Sequence, residues 1–285
     1  VLWCSWQPYS PARSAVRDMD VNDYLRRSRA GDGLLFSTVD AGMPVQVHEH
    51  EHERWVYTGE NSILSLMRLD APADPVLPNH VAMLAALLFS DLPESVLNLG
   101  LGTGAFERFF EDRLPDTTVA SVDTSEVMID IARRFFTLRP DRAIVNQTAE
   151  QFLASHDRRY GLILCDIFCG DRHPDCLTDE AFYSDAARCL AAGGVMAFKL
   201  SPATEQVLLD ILVTMRRSFA HVVLVTLVDY GNIVVYAMQH PPLLPDRLPQ
   251  RADTLGRQLR LDLADIPDRL TILPLGPDTR GGMVP

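Results

Sequence analysis

Residues 96–106 read VLNLGLGTGAF. An apolar run of the kind that forms a buried strand stops at Gly100, and a helical stretch, TGAFERFFEDRL, begins within a few residues. Gly100, Gly102 and Gly104 therefore stand between a strand and a helix. Glycine there allows a tight turn and lets a ligand reach the backbone without a side-chain clash. Strand-to-helix turns also use glycine for purely structural reasons, so the pattern needs a partner elsewhere. Asp123 supplies one. It ends the next apolar run, TVASVD, about 20 residues on, where a carboxylate can accept hydrogen bonds from ribose hydroxyls. The third glycine of the dinucleotide fingerprint is missing, because Ala105, Phe106 and Glu107 follow Gly104. One nucleoside without a pyrophosphate fits better.

The alternation extends in both directions. Downstream, SEVMIDIARRFF sets Val127, Ile131 and Phe135 on one helical face, and AIVNQ, AEQFLASH and YGLILCDIF follow as strand, helix and strand. TDEAFYSDAARCLAAGG reads as a helix with Thr178 as N-cap, two acids in its first turn and a glycine stop. VMAFKLS is a strand, and TEQVLLDILVTMRRSF is amphipathic through Val207, Ile211 and Met215. HVVLVTLVD and NIVVYAMQ flank DYGN, which is hairpin chemistry. Strands joined by helices imply a parallel sheet wrapped on both faces, with ligands at the strands' carboxyl ends. The expected fold class is α/β: a doubly wound, mostly parallel seven-stranded sheet with a terminal antiparallel hairpin. Upstream, GLLFSTVD, PVQVHEHEHERWVYTG and NSILSLMRLD are strand runs separated by the turn signals AGMP and GEN. The expected organisation is an N-terminal extension over 1–32, a small antiparallel β-unit over 33–77, a nucleoside-binding α/β domain over 78–240 and a tail over 241–285. A short helix is expected in VNDYLRRSRA and another around TLGRQLRLDL, while APADPVLP is a proline-rich joint leading into the helix NHVAMLAALLFSDLP.

Composition narrows the partners. A net charge of −12 argues against a broad phosphate-binding surface, so no nucleic acid is expected. No apolar run approaches the roughly 18 residues of a membrane helix, and VLWCSWQPYSPARS lacks a basic-then-apolar signal architecture. Five cysteines, an odd number, suit a reduced cytoplasmic chain better than a disulfide scaffold. Three of them fall in CDIFCGDRHPDC, residues 165–176, together with His173. Their gaps of three and then six residues differ from the short two- or four-residue hooks of structural zinc, and no C-x-x-C pair is present. No metal is expected there. Cys165 sits inside the strand run, while Asp166 points the opposite way and emerges beside the glycine loop. The alternative for Asp166, a cap on local backbone amides, stays open. In VHEHEHE, His48, His50 and His52 share one strand face, with Glu49, Glu51 and Glu53 on the other. Such histidines could hold a metal, but a solvated edge strand whose charges discourage pairing is the expectation.

GLGTG, the strand-terminal Asp123, YGLILCDIF and the closing hairpin together resemble the class I S-adenosylmethionine-dependent methyltransferase fold. Within it, the chain resembles the spermidine synthase (polyamine aminopropyltransferase) branch. RWVYTGENSILSLM, PNHVAMLAALLF and VLNLGLGTG follow that branch's order of β-unit, histidine-bearing helix and nucleoside domain. The resemblance implies an S-adenosylmethionine or decarboxylated S-adenosylmethionine donor, no metal, and a small-molecule amine acceptor, with a homodimer among the assemblies it allows. It implies cofactor contacts from Gly100, Gly102, Thr103, Gly104, Asp123, Thr148 and Ala149, a catalytic Asp166, and a substrate side formed by His80, Cys169 and Asp171. The chain departs from the family at several of these places. The cofactor-facing glutamine is Leu64, the tyrosine before the histidine is Asn79 and the glutamate after it is Val81. The glycine-loop aspartate is Thr103, the acid beside adenine is Thr148, and the second aspartate of the D-x-x-D loop is Cys169, with Asp171 two residues later.

The chemistry implied by the resemblance suits a carboxylate at 166. A sulfonium donor is already activated, so the enzyme mainly places a nucleophile in line with the carbon transferred. A carboxylate can orient an ammonium, accept its proton and stabilise the cationic transition state. Three readings follow: an aminopropyltransferase-like enzyme, a methyltransferase on the same scaffold, and a non-catalytic relative that binds nucleoside or dimerises.

Overall fold

The computed structural model describes residues 21–59, 63–167, 174–227 and 232–275. Its N-terminal part is a four-stranded antiparallel sheet in sequential order: β1 (Leu34–Asp40), β2 (Met43–His50), β3 (Glu53–Tyr57) and β4 (Ile63–Arg68). Helix α1 (Val21–Ala30) precedes it and buries Leu25 in a cluster with Trp55, Tyr57, Leu66 and Leu77, while the Trp55 indole donates to Ser28 Oγ at 2.8 Å. One expectation fails here. VHEHEHE is not an edge strand, because β2 lies between β1 and β3. The run breaks at a turn in which Glu51 takes φ +54°, a conformation that sequence gives no glycine to announce. His48 is buried, its Nδ1 meeting the Asp32 carbonyl at 2.9 Å and its Nε2 meeting Gln46 Oε1 at 3.0 Å. Both ring nitrogens serve the sheet.

Helix α2 (Pro78–Leu84) and a 3₁₀ turn, Ala85–Leu88, lead into the main sheet. Its elements are β5 (Ser95–Leu99), α3 (Ala105–Arg113), β6 (Thr118–Asp123), α4 (Glu126–Phe135), β7 (Ile144–Asn146), α5 (Ala149–Ser155), β8 (Tyr160–Cys165), α6 (Glu180–Arg188), β9 (Leu190–Leu200), α7 (Glu205–Met215), β10 (His221–Leu227), β11 (Asn232–Met238), α8 (Leu248–Leu259) and β12 (Leu270–Ile272). The strand order is β12-β10-β11-β9-β8-β5-β6-β7. Strands β5 to β9 pair in parallel, whereas β11 runs antiparallel to both β9 and β10. The fold class expected from sequence is borne out. Side chains alternate between two apolar layers: Val96, Leu162, Leu164 and Ala197 face α2, α3 and α8, while Leu97, Ile163, Cys165 and Phe198 face α5, α6 and α7.

Three local readings are corrected. The sheet has eight strands, one more than expected, because Leu270–Ile272 of the tail pairs with β10. A three-residue strand is too short to show periodicity in sequence. The tail helix starts at Leu248 and packs Leu248, Ala252, Leu255 and Leu259 into the main core, so residues beyond 240 complete one face of the sheet. The N-cap of α6 is Asp179, whose carboxylate accepts from Ala181 N at 3.0 Å, and Thr178 instead donates to Asp175 O at 2.8 Å. That helix ends at Arg188 rather than at the glycines: Cys189 O accepts from Tyr160 N at 2.8 Å, and β9 begins at Leu190.

The small sheet packs on the α/β part through α4. Val45, Val47, Val56 and Met67 form a cluster with Met128, Ile131 and Phe136, with Val127 and Phe135 at its border. Ser125 caps α4 through its hydroxyl, which accepts from Met128 N at 2.9 Å and donates to Asp40 Oδ2 at 2.6 Å.

Candidate active site

Strand β5 pairs with β6 on one side and β8 on the other, so the winding reverses between β5 and β8 and their following loops part. The glycine loop follows β5 and Asp166 follows β8. Gly100 has φ +92°, and a Cβ on it would stand 2.2 Å from the Asp166 carbonyl oxygen. Only glycine lets the loop lie this close to the end of β8. Gly102 has φ +54°, and among the described residues no atom lies within 4 Å of where a Cβ on it would stand. Gly104 is the N-cap of α3.

Asp123, at the end of β6, holds this loop in place. Its carboxylate accepts from Leu101 N at 2.8 Å, Gly102 N at 3.3 Å and Ser125 N at 2.8 Å. Burial pushes its pKa up, against the lowering by those three N–H groups. A carboxylate has about four lone-pair positions, so three amide bonds leave room for a hydroxyl. Asn146 Nδ2 donates to Asp123 O at 3.0 Å and ties the ends of β6 and β7 together. Thr148 follows β7 as N-cap of α5, accepting from Gln151 N at 3.3 Å, and Ala149 is the buried first residue of that helix.

The expected substrate side lies where the ends of β8 and β9 meet α2. Cys165 pairs with Phe198 across β8 and β9, so Asp166 and Lys199 stand side by side one step further on. The Lys199 ammonium donates to Asp166 Oδ1 at 3.0 Å. His80 of α2 is buried, meets the Phe106 ring edge-on with centroids 5.1 Å apart, and has no partner for Nδ1 among the described residues. Desolvation pulls its pKa down to about 4; Asp166 opposes this, and Lys199 and Arg108 reinforce it. At neutral pH the ring is uncharged. Cys169 and Asp171, the other substrate-side candidates, lie outside the described residues, as does His173. Leu64 is partly exposed on β4 and Asn79 is buried in α2.

Thr103, expected among the cofactor contacts, is buried, and its hydroxyl is engaged with Ser65 of β4 at 2.5 Å. Its side chain thus binds the small sheet to the glycine loop. Two further groups brace the loop from below. Glu107, in the first turn of α3, accepts from Asn98 Nδ2 at 2.8 Å and Ser121 Oγ at 2.6 Å, reaching both β5 and β6. Arg108 is buried and donates to the carbonyls of Pro72 (2.8 Å), Thr103 (2.6 Å) and Phe136 (2.9 Å). Burial draws its pKa down to about 10, so it stays protonated at neutral pH. Sequence reasoning missed Lys199, Ser65, Glu107 and Arg108. For Lys199 a signal existed, since it is the chain's only lysine and lies near the end of a strand.

Among the cysteines, Cys165 is buried under α6 with Phe182 and Tyr183, and burial raises its thiol pKa well above the usual range. Cys176 lies in a 3₁₀ turn, and burial, then Glu150, pushes its thiol up to about 12. Among the described residues no group of three or more His, Cys, Asp or Glu is placed to hold a metal. None of the described helices is long and apolar enough to cross a membrane.

Comparison with known proteins agrees with this geometry. A methyltransferase-domain family model matches residues 96–194, the part from β5 into β9. In fold, the chain is similar to a probable spermidine synthase from Corynebacterium glutamicum, with a TM-score of 0.66 at 16% identity over 79% of this chain and 86% of that one. It is also similar to a spermidine synthase in complex with the transition-state analogue AdoDATO, with a TM-score of 0.60 at 12% identity over 81% of this chain and 89% of that one. At such identities the likeness speaks for the fold alone. Sequence carries the rest: a polyamine aminopropyltransferase from Chromobacterium violaceum is 31% identical over 238 residues, 81% of this chain and 91% of that protein. Likeness of that extent makes this chain a member of the polyamine aminopropyltransferase family.

Proposed function

We propose that the protein transfers an aminopropyl group from decarboxylated S-adenosylmethionine to a small-molecule amine. The observation that carries this reading is the position of Asp166. It is a carboxylate at the switch point of the sheet, in backbone contact with a glycine loop that is open over Gly102. Gly100, Gly102, Gly104 and Asp123 would hold the nucleoside, with Thr148 and Ala149 beside its base. Asp166 would orient the acceptor ammonium and take its proton. The nitrogen lone pair then forms the new C–N bond while the C–S bond breaks, its electron pair passing to sulfur and leaving methylthioadenosine. His80, uncharged, would form a neutral wall that brings no further cation to the site. Thr103, with its hydroxyl turned to Ser65, offers no anion to a donor amine. The odd cysteine count suits a reducing, cytoplasmic setting.

The methyltransferase alternative is not favoured, because the extensive sequence likeness is to an aminopropyltransferase and the methyltransferase model describes the α/β part alone. The test is release of methylthioadenosine, followed by mass spectrometry, with S-adenosylmethionine and its decarboxylated form against a panel of amines. Turnover with the decarboxylated donor supports the proposal. Methylated product from S-adenosylmethionine, with no turnover of the other donor, would refute it.

A further inference from the structure

Gly100, Gly102 and Gly104 take φ values of +92°, +54° and +77°, so little in the glycine loop itself fixes its shape. Its neighbours hold it in two halves. The first half is fixed from within the α/β part: Gly100 N donates to Val122 O at 2.9 Å, and the Leu101 and Gly102 amides donate to Asp123. The second half, at Thr103, is also held from outside that part. The Thr103 hydroxyl shares a hydrogen bond with Ser65 of β4 at 2.5 Å. Arg108 bridges the Thr103 carbonyl and that of Pro72, which lies in the joint between the small sheet and α2. Ser65 pairs with Val56 and shares a face of β4 with Met67, and both of those residues belong to the apolar contact with α4. Ser65 and Thr103 are each 2% exposed, so a hydroxyl pair is buried where two parts of the molecule meet. Cohesion alone does not call for it, since two apolar groups of the same shape would serve about as well. What the pair adds is geometry. Each oxygen must meet the other or stay unsatisfied away from water, which fixes the loop at one position against β4.

Resting on the aminopropyl-transfer reading, we infer that Ser65 is a positioning residue for the nucleoside donor. Through Thr103 the small sheet sets the shape of the glycine loop, so nucleoside binding and docking of the sheet strengthen each other. Such coupling is reciprocal and can be read from both ends. The test is a double-mutant cycle of Ser65→Ala, Thr103→Val and the two together. Methylthioadenosine affinity is measured by calorimetry, donor KM and kcat by methylthioadenosine release, and backbone opening by hydrogen exchange with mass spectrometry. Ser65→Ala should weaken methylthioadenosine binding about fivefold or more, the lower end of the usual coupling between sites. The double variant should bind no worse than Thr103→Val, because one bond is lost in either case. Donor KM should rise with kcat little changed, since the nucleoside portion is held alike before and during transfer. In the wild type, methylthioadenosine should slow exchange across residues 63–77 as well as 100–106; in Ser65→Ala the slowing should stop at the glycine loop. Thr103→Val weakening the binding while Ser65→Ala leaves it unchanged overturns the inference and makes Thr103 a direct contact. Additive losses in the double variant overturn it too. So does protection confined to residues 100–106 in the wild type, a measurement that decides the matter even if no variant folds. Without ligand, residues 100–106 should exchange faster in Ser65→Ala than in the wild type, with α7 unchanged. If that holds while the wild type binds no methylthioadenosine, the sheet's hold on the loop stands and the aminopropyl-transfer reading fails.

Discussion

His80 links the stability of the protein to pH in a way the structure makes quantitative. Its pKa falls from 6.5 to about 4 on folding because the ring is buried at the meeting of α2, α3 and the carboxyl ends of β8 and β9. The unfolded chain takes up this proton near pH 6.5 and the folded chain only near pH 4, so protons favour unfolding across that window. The contribution is whole above about pH 6.5 and is lost as pH falls through about 4. At about 1.36 kcal/mol per pKa unit, the full shift is worth about 3 kcal/mol, most of which is already lost at roughly pH 4.5. Replacing His80 with Phe keeps a ring against Phe106 and removes the titration. Urea unfolding of both proteins at about pH 8 and about pH 4.5 then isolates the term, since every other titrating group is shared. The wild type should lose about 2 to 3 kcal/mol more than His80→Phe over that interval. If the two losses agree within about 0.5 kcal/mol, the ring is solvated and the picture of a neutral wall beside Asp166 is wrong.

Further outcomes follow from the same geometry. Asp123→Ala removes the acceptor of the Leu101 and Gly102 amides, so methylthioadenosine binding should weaken by about 1 to 3 kcal/mol in calorimetry. Failure of methylthioadenosine and both donors to bind the wild type at millimolar levels would remove the cofactor assignment. Asp166→Asn should keep the fold and donor affinity while lowering turnover by roughly two to four decades; full activity with any acceptor takes this residue out of the mechanism. Arg108→Leu strands two buried carbonyls and a partly buried one and should cost about 3 kcal/mol in chemical denaturation, with Arg108→Lys recovering only part. Elemental analysis of protein purified without chelators should find well under one zinc per chain, and a stoichiometric content lost in Cys169→Ser would contradict that.

Much of the candidate site was legible because it lies on short, local patterns. Gly100, Gly102 and Gly104 announce a turn between a strand and a helix, and Asp123 announces itself by ending the next strand. The places where reading failed share a cause. In VHEHEHE the alternation of charge suggested an edge, yet β2 is flanked on both sides and His48 is buried with both nitrogens bonded. Charge pattern says which residues share a face, not which neighbour covers that face. Thr178 and Asp179 are both good capping residues, and the choice between them fell to a 3₁₀ turn that used the threonine first. The bond between the Thr103 and Ser65 hydroxyls was likewise out of sight, since its partners stand 38 residues apart in the chain.

By itself the sequence determined the two-part architecture, the parallel sheet with its closing hairpin, the glycine loop with its acidic partner, and the family. Each depends on spacings of a few residues or on the order of elements, which a chain carries openly. Only the tertiary structure decided that Lys199 neutralises Asp166, that His80 loses its charge, that Glu107 and Arg108 brace the glycine loop, and that the tail adds an eighth strand. Lys199 and Asp166 are 33 residues apart and meet because β8 and β9 pair in one register; a shift of one residue would send Lys199 to the opposite face. Register and burial are set by the packing of the whole domain, so the charges that tune this site follow from the fold and not from any local run of residues.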